Sequence, residues 1–293
     1  MSVAQGVNER LAALTEAGVS IWLDQIRRSL IDSGELERMV REESLRGVTA
    51  NPSIFEKAIL GSPDYDEELA QLARQNLEAR EIYRKLAVED VSLAADVLRP
   101  VWEGTGGLDG YVSLEVAPRL AHDTEGTLEQ ARQYWELIGR PNAMIKIPGT
   151  EEGIPAIEQA IYEGININVT LLFAVEMYEK AAEAFIRGLE RRREDGRTID
   201  DMHSVASFFV SRVTPRWTGG SRRSATASCR ARPRWPTRAR RTSASRRCST
   251  ASASPPCARP ERSCSGRCGR PPARRTRTIR TRCTWTGSWP RTR

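Results

Sequence analysis

The first 213 residues predict an α/β protein, a parallel (β/α)8 barrel of which about six of the eight strands can be recognised. Three observations point there. Short apolar segments alternate with helical patterns, as expected when parallel strands are joined by helices. In six successive segments the polar groups fall at or near the C-terminal end and share one parity, hence one face. A barrel does this because its site is built where strands finish and βα loops begin. Third, the first strand ends in Trp22-Leu23-Asp24 rather than in a glycine-rich turn. That argues against an open doubly wound sheet, which gathers its site at one switch point.

The elements follow in order. Residues 19–23 form the first apolar segment and close on Asp24. A helical pattern over 35–43 leads to a second strand at 47–49, and a longer one over 64–98 to a third at 110–116. Gly104-Thr105-Gly106-Gly107 follows a helical pattern and reads as a turn. Helix 128–138, strand 143–147, helix 154–162, strand 165–173, helix 175–193 and strand 204–210 complete the series. Acids and amides precede any apolar run at the N-terminus, so no secretory signal is expected there. Nor does any stretch approach the roughly 20 apolar residues of a membrane span. The expected setting is the cytoplasm, with no membrane partner.

Composition divides the chain at residue 213. Residues 1–213 hold 23 Lys and Arg against 37 Asp and Glu, two histidines and no cysteine. Residues 214–293 hold 22 arginines, no lysine, one acid (Glu261), all six cysteines and four tryptophans, with no Leu, Val, Met or Phe. The overall formal charge of +7 averages two unlike halves and does not by itself indicate a nucleic-acid partner. With Ile279 as its one aliphatic branched residue, the Arg-rich tail cannot bury enough apolar surface to offset the entropy of ordering, so disorder is expected.

Such a composition is what a GC-rich gene yields when read out of frame. Back-translation of residues 265–293 with permitted codons, shifted by one base, gives a string with acids, tyrosines and an apolar strand-like end. The same shift just after the Val213 codon turns residues 213–220 into VDTEVDRR. A frameshifted tail is therefore the expectation, and DNA sequence across 212–214 checks it.

Lys146 stands out among the strand-end groups. It sits in Met144-Ile145-Lys146-Ile147-Pro148, where its ammonium cannot stay fully hydrated. Burial favours the neutral amine, the form that attacks a carbonyl to give a Schiff base. Each candidate also has a plain structural alternative. Lys146 could snorkel at a strand edge, Asp24 could cap a helix, and Glu115 could be a solvated strand-end acid. Asn51 before Pro52 could form a turn, Thr170 could satisfy its hydroxyl within the sheet, and Arg212 could be a surface charge. Only the ordered set favours function. His122 and His203 are alone in their segments, and no cysteine precedes residue 214, so no metal site or thiol nucleophile is expected. The Cys264/Cys268 spacing has no partner pair.

In order along the chain, Trp22-Leu23-Asp24, Gly47-Val48-Thr49-Ala50-Asn51-Pro52-Ser53-Ile54-Phe55, Ser113-Leu114-Glu115-Val116, Ile145-Lys146-Ile147-Pro148, Asn168-Val169-Thr170-Leu171-Leu172-Phe173 and Ser207-Phe208-Phe209-Val210-Ser211-Arg212 resemble the successive motifs of transaldolase. The resemblance covers about residues 18–213 and is closest to the bacterial form with an N-terminal helical extension. It implies a barrel of the class I aldolase type and transfer of a dihydroxyacetone unit from sedoheptulose 7-phosphate to glyceraldehyde 3-phosphate, part of the pentose phosphate pathway. The substrates are then sugar phosphates, and no cofactor or metal is needed.

The resemblance also implies residue roles. Lys146 attacks the ketose carbonyl, and Asp24 takes the C4 hydroxyl proton. Glu115, with Thr170 and a water, shuttles protons. Asn51, Asn168 and Ser207 hold substrate hydroxyls, and Arg212 pairs with phosphate. Two alternatives remain: a fructose 6-phosphate aldolase of the same chemistry, and a non-catalytic protein whose Arg-rich tail binds nucleic acid. The long N-terminal region and the Glu115 pattern weigh against the first. The absence of a recognisable folded module in the tail makes a nucleic-acid partner unexpected. The sequence carries no signal of oligomeric state. Six strands leave a barrel that cannot close, so the chain as it stands is expected to be poorly soluble and nearly inactive.

Overall fold

The structure is a computed structural model that describes residues 6–209 and 283–285. All of them fall in one compact unit. Six strands run parallel and pair in sequence order: β1 (Ile21–Leu23), β2 (Leu45–Thr49), β3 (Tyr111–Glu115), β4 (Ala143–Pro148), β5 (Ile167–Leu172) and β6 (Ser204–Phe208). A seventh, β7 (Cys283–Trp285), lies antiparallel to β6. Helix α1 (Glu9–Glu16) precedes β1. Between the strands run α2 (Arg28–Asp32), α3 (Glu35–Glu42), α4 (Pro52–Gly61), α5 (Asp66–Ala73), α6 (Ala79–Gly104), α7 (Thr124–Ile138), α8 (Gly153–Glu163) and α9 (Val175–Glu194). The six parallel strands form a curled part of a (β/α)8 barrel with helices outside it.

Strands buried on both faces read as near-continuous apolar runs, and β3 and β4 are buried at every position. Outward-facing Val48, Val112, Leu114, Ile145, Ile147, Ile167 and Val169 pack with Leu86, Ala94, Leu98, Ala131, Ile157, Ala160 and Ala184 of the helices. On the opposite face Trp22, Tyr111, Met144 and Val205 form a separate cluster that fills the inside of the curl below the strand ends. The register places Trp22 beside Gly47 and Gly47 beside Tyr111. Gly47 leaves room for the indole, since a Cβ there would lie 2.1 Å from Trp22 Cε2.

The structure differs from the sequence reading in three places. The helical pattern over 64–98 is two helices, α5 and α6, separated at 74–78 by a turn in which Asn76 adopts a left-handed φ of 55°. Asparagine tolerates that conformation. Glu78 then starts α6 with a reciprocal capping box to Glu81, a signal weaker in composition than Ser or Thr would be. The helical pattern ends at 98, yet α6 runs on through Pro100 to Gly104. α2 and α4 fall outside the helical patterns read from the sequence. Asn51 accepts a hydrogen bond from the Ile54 amide at 3.0 Å, and Pro52 takes the first turn of α4. Among the described residues no helix is long and apolar enough to cross a membrane.

Candidate active site

The inner face of the curl carries polar groups at the C-terminal strand ends, above the apolar floor. Lys146 is 1% exposed, and its Nζ lies 3.0 Å from Glu115 Oε2 and donates to the Ala50 carbonyl at 3.3 Å. Glu115 and Lys146 are register partners on β3 and β4. The ammonium thus has one carboxylate, one carbonyl, and otherwise protein around it. Desolvating two charges is costly unless they pair closely, and here they do. A proton passed along this contact leaves a neutral amine beside a protonated carboxyl, which is the composition needed for carbonyl attack followed by loss of water.

Curvature brings together groups from strands that are not neighbours. Ser207 donates to Asn168 Oδ1 at 2.9 Å, and Asn168 Nδ2 donates to Ser113 Oγ at 3.0 Å. Asn168 is on β5 and Ser113 on β3, with β4 between them. In a flat sheet two strand spacings are about 10 Å. The short contact therefore requires the inner face to close in on itself.

Thr170 is fully buried, and its Oγ1 has no hydrogen-bond partner among the described residues. It sits at a bulge: Val169 pairs with Ala206 and Leu172 with Phe208, so the extra residue Leu171 takes a left-handed φ of 57°. Thr170 shares the parity of Asn168, and the strand continues past the bulge to Leu172.

Asp24 lies at the end of β1 and is half-buried. It does not cap α2, whose N-cap is Arg27. Asn51 does cap α4 through its oxygen, so the turn-forming role is present. Its amide nitrogen is not used by that bond. Arg212 lies outside the described residues. The structure therefore gathers Lys146, Glu115, Asn168, Thr170 and Ser207 on one inner face, with Asp24 and Asn51 at the ends of neighbouring segments.

Two inner-face hydroxyls had no role in the sequence reading. Ser113 accepts from Asn168, and Thr49 is buried with an unpartnered Oγ1. Thr49 ends β2 and Ser113 lies midway along β3, both on the shared parity, which was the available signal. The histidines lie elsewhere. His122 is exposed and pairs with Glu152 at 3.0 Å. His203 packs 5.5 Å from the Tyr111 ring, and burial holds its imidazole below the usual histidine range. Among the described residues no group of three or more His, Cys, Asp or Glu is placed to hold a metal.

Comparison with known proteins gives the family. The sequence matches the family model described as Transaldolase/Fructose-6-phosphate aldolase over residues 21–232. It is 51% identical over 203 residues to Transaldolase 2 of Nostoc punctiforme, covering 69% of this chain and 53% of that protein. It is 48% identical over 206 residues to transaldolase of Mycobacterium tuberculosis, covering 70% and 55%. With transaldolase of Trichodesmium erythraeum the identity is 49% over 207 residues, covering 71% and 54%. The chain spans about half the length of the curated relatives it matches. It belongs to the transaldolase/fructose-6-phosphate aldolase family.

Proposed function

We propose that this chain carries the imine-forming site of a transaldolase, transferring a dihydroxyacetone unit from sedoheptulose 7-phosphate to glyceraldehyde 3-phosphate. The observation that carries the reading is the buried Lys146–Glu115 contact at 3.0 Å among inner-face hydroxyl and amide groups.

In this reading Lys146 Nζ, having passed its proton to Glu115, attacks the C2 carbonyl of the ketose. Glu115 returns protons to the carbinolamine oxygen, with the Thr170 hydroxyl orienting a water, and water leaves as the protonated imine forms. Asp24 takes the C4 hydroxyl proton. The C3–C4 bond then breaks, its electron pair moves into the imine to give an enamine, and C4 departs as an aldehyde. The acceptor aldehyde adds in the reverse sense, and hydrolysis of the imine restores Lys146. Asn51, Asn168 and Ser207 hold the hydroxyls of the three-carbon unit, and Arg212 takes the phosphate. Every step is acid, base or amine chemistry supplied by side chains. The proposed setting is the cytoplasm.

We propose further that residues 214–293 are read out of frame, which leaves the chain as it stands weakly active. Incubation with fructose 6-phosphate and borohydride, followed by mass spectrometry of the Lys146 peptide, tests both statements. The chain as it stands should show a reduced adduct on Lys146 at low yield, and a frame-corrected chain a high yield. Absence of the adduct from both, or its appearance unchanged on another lysine after Lys146→Ala, overturns the reading.

A further inference from the structure

Asp24 sits in a loop whose anchor the reaction itself does not use. Leu23 is held in β1 opposite Val48, and Ile26 is buried in the core at 1% exposure. Four residues beyond Asp24, Arg28 enters a charged cluster that runs from the wholly buried Asp90 out to the half-exposed Glu89. Its Nε donates to Asp90 Oδ1 at 2.5 Å, and its two terminal nitrogens lie 3.1 Å from Glu68 and Glu89. The Arg28 amide donates to the Tyr65 hydroxyl at 2.9 Å, and that hydroxyl donates to Asp90 Oδ2 at 2.6 Å. The guanidinium also lies over the Tyr65 ring, 5.6 Å from its centroid. Asp90 is wholly buried in the middle of α6, and Tyr65 is equally buried before α5.

As a source of stability this arrangement is a poor bargain. Burial pushes the Asp90 carboxyl up, against the pull of the Tyr65 and Arg28 hydrogen bonds. Well-packed apolar groups of similar volume commonly hold two helices as firmly as a buried ion pair does. What the cluster supplies, and apolar packing does not, is direction. Asp90 accepts from a side chain and a hydroxyl that both bear on Arg28, fixing backbone and side chain of one residue at once. A loop held in strand pairing at one end and by this fork at the other has little freedom between residues 24 and 28.

We propose that Arg28, Asp90 and Tyr65 are positioning residues that hold the loop between β1 and α2 so that the Asp24 carboxylate meets the C4 hydroxyl of an imine-bound sugar. This rests on the function proposed above. It separates two half-steps: imine formation, which needs Lys146 and Glu115 on β4 and β3, and C3–C4 cleavage, which needs Asp24.

The full chain with fructose 6-phosphate and borohydride reads both half-steps at once. Reduction of the first imine leaves a six-carbon adduct on Lys146. Reduction after cleavage and protonation of the enamine at C3 leaves a three-carbon adduct. Tyr65→Phe removes one hydroxyl with no change of shape, and Asp90→Asn removes the charge. Both should retain the six-carbon adduct while the three-carbon share falls on the order of tenfold, as small misplacements of a catalytic group do. Asp24→Asn should give the same signature. An unchanged ratio in Tyr65→Phe and Asp90→Asn, or loss of both adducts in parallel in both, means the cluster is structural only and overturns the proposal. If neither the unaltered chain nor a frame-corrected one gives an adduct on Lys146, the transaldolase reading itself fails and takes this inference with it.

Discussion

Lys146 and Glu115 face each other across adjacent strands at directly paired positions, 3.0 Å apart, with side chains 1% and 10% exposed. Removing one partner leaves the other charge buried and unpaired. Glu115→Gln should therefore destabilise the fold by about 3 kcal/mol in urea denaturation. The double change Lys146→Met with Glu115→Leu should recover most of that loss while abolishing borohydride trapping. A double variant no more stable than Glu115→Gln would contradict this account of the pair.

Thr170 offers the opposite test, because its buried hydroxyl makes no hydrogen bond among the described residues. Deleting it removes a desolvated polar group and no bond to another described residue. Thr170→Val should leave the denaturation midpoint unchanged or slightly raised, while the rate of adduct formation falls about tenfold. Thr170→Ser should keep the rate. Equal rates for the two variants would remove Thr170 from the proton path.

Gly47 is required by its neighbour rather than by its own backbone. A Cβ at this position would lie 2.1–2.5 Å from three atoms of the Trp22 ring. An indole wedged among Tyr111, Met144 and Val205 has no free end to swing away. Gly47→Ala should cost about 3 kcal/mol, the upper part of the range for overpacking a filled core. Pairing it with Trp22→Leu should restore much of that. Thermal melts of the single and double variants check both statements.

His203 links stability to pH. Burial depresses its folded-state value below the ordinary 6.5, so the unfolded chain takes up the proton first as pH falls. Its contribution is whole above about pH 6.5 and is lost as pH drops toward the folded value. Between pH 7.5 and pH 5.5 the urea midpoint of the unaltered chain should fall more than that of His203→Gln. Parallel declines would show that the imidazole titrates alike in both states.

Much of the barrel was legible because burial and periodicity are local properties. The strand at 143–147 appears as Ala143–Pro148, the one at 110–116 as Tyr111–Glu115, and the helix at 175–193 as Val175–Glu194. The break between α5 and α6 was not legible, since the sequence around Asn76 carries neither glycine nor proline. In the site, strand parity picked out Lys146, Glu115, Asn168 and Ser207 correctly as groups of one face. It could not tell that Asn51 spends its oxygen on a helix cap, because that depends on α4 starting at the next residue. Nor could it rank Thr49 and Ser113 among their neighbours, since an alternating pattern marks the face and not the contacts made across it.

By itself the sequence determined which segments become the six parallel strands, which ends of them are polar and that one lysine sits among apolar residues; hydrophobic alternation and burial propensity act over a few residues and are written into any short window. Only the tertiary structure decided that Glu115 is the carboxylate meeting that lysine, that Asn168 reaches Ser113 over an intervening strand, and that Arg28 finds Asp90 sixty-two positions away. Those contacts depend on how far the sheet curls and where α6 lies against it. Both are set by the summed twist and packing of many strands and helices, a quantity that no local pattern contains.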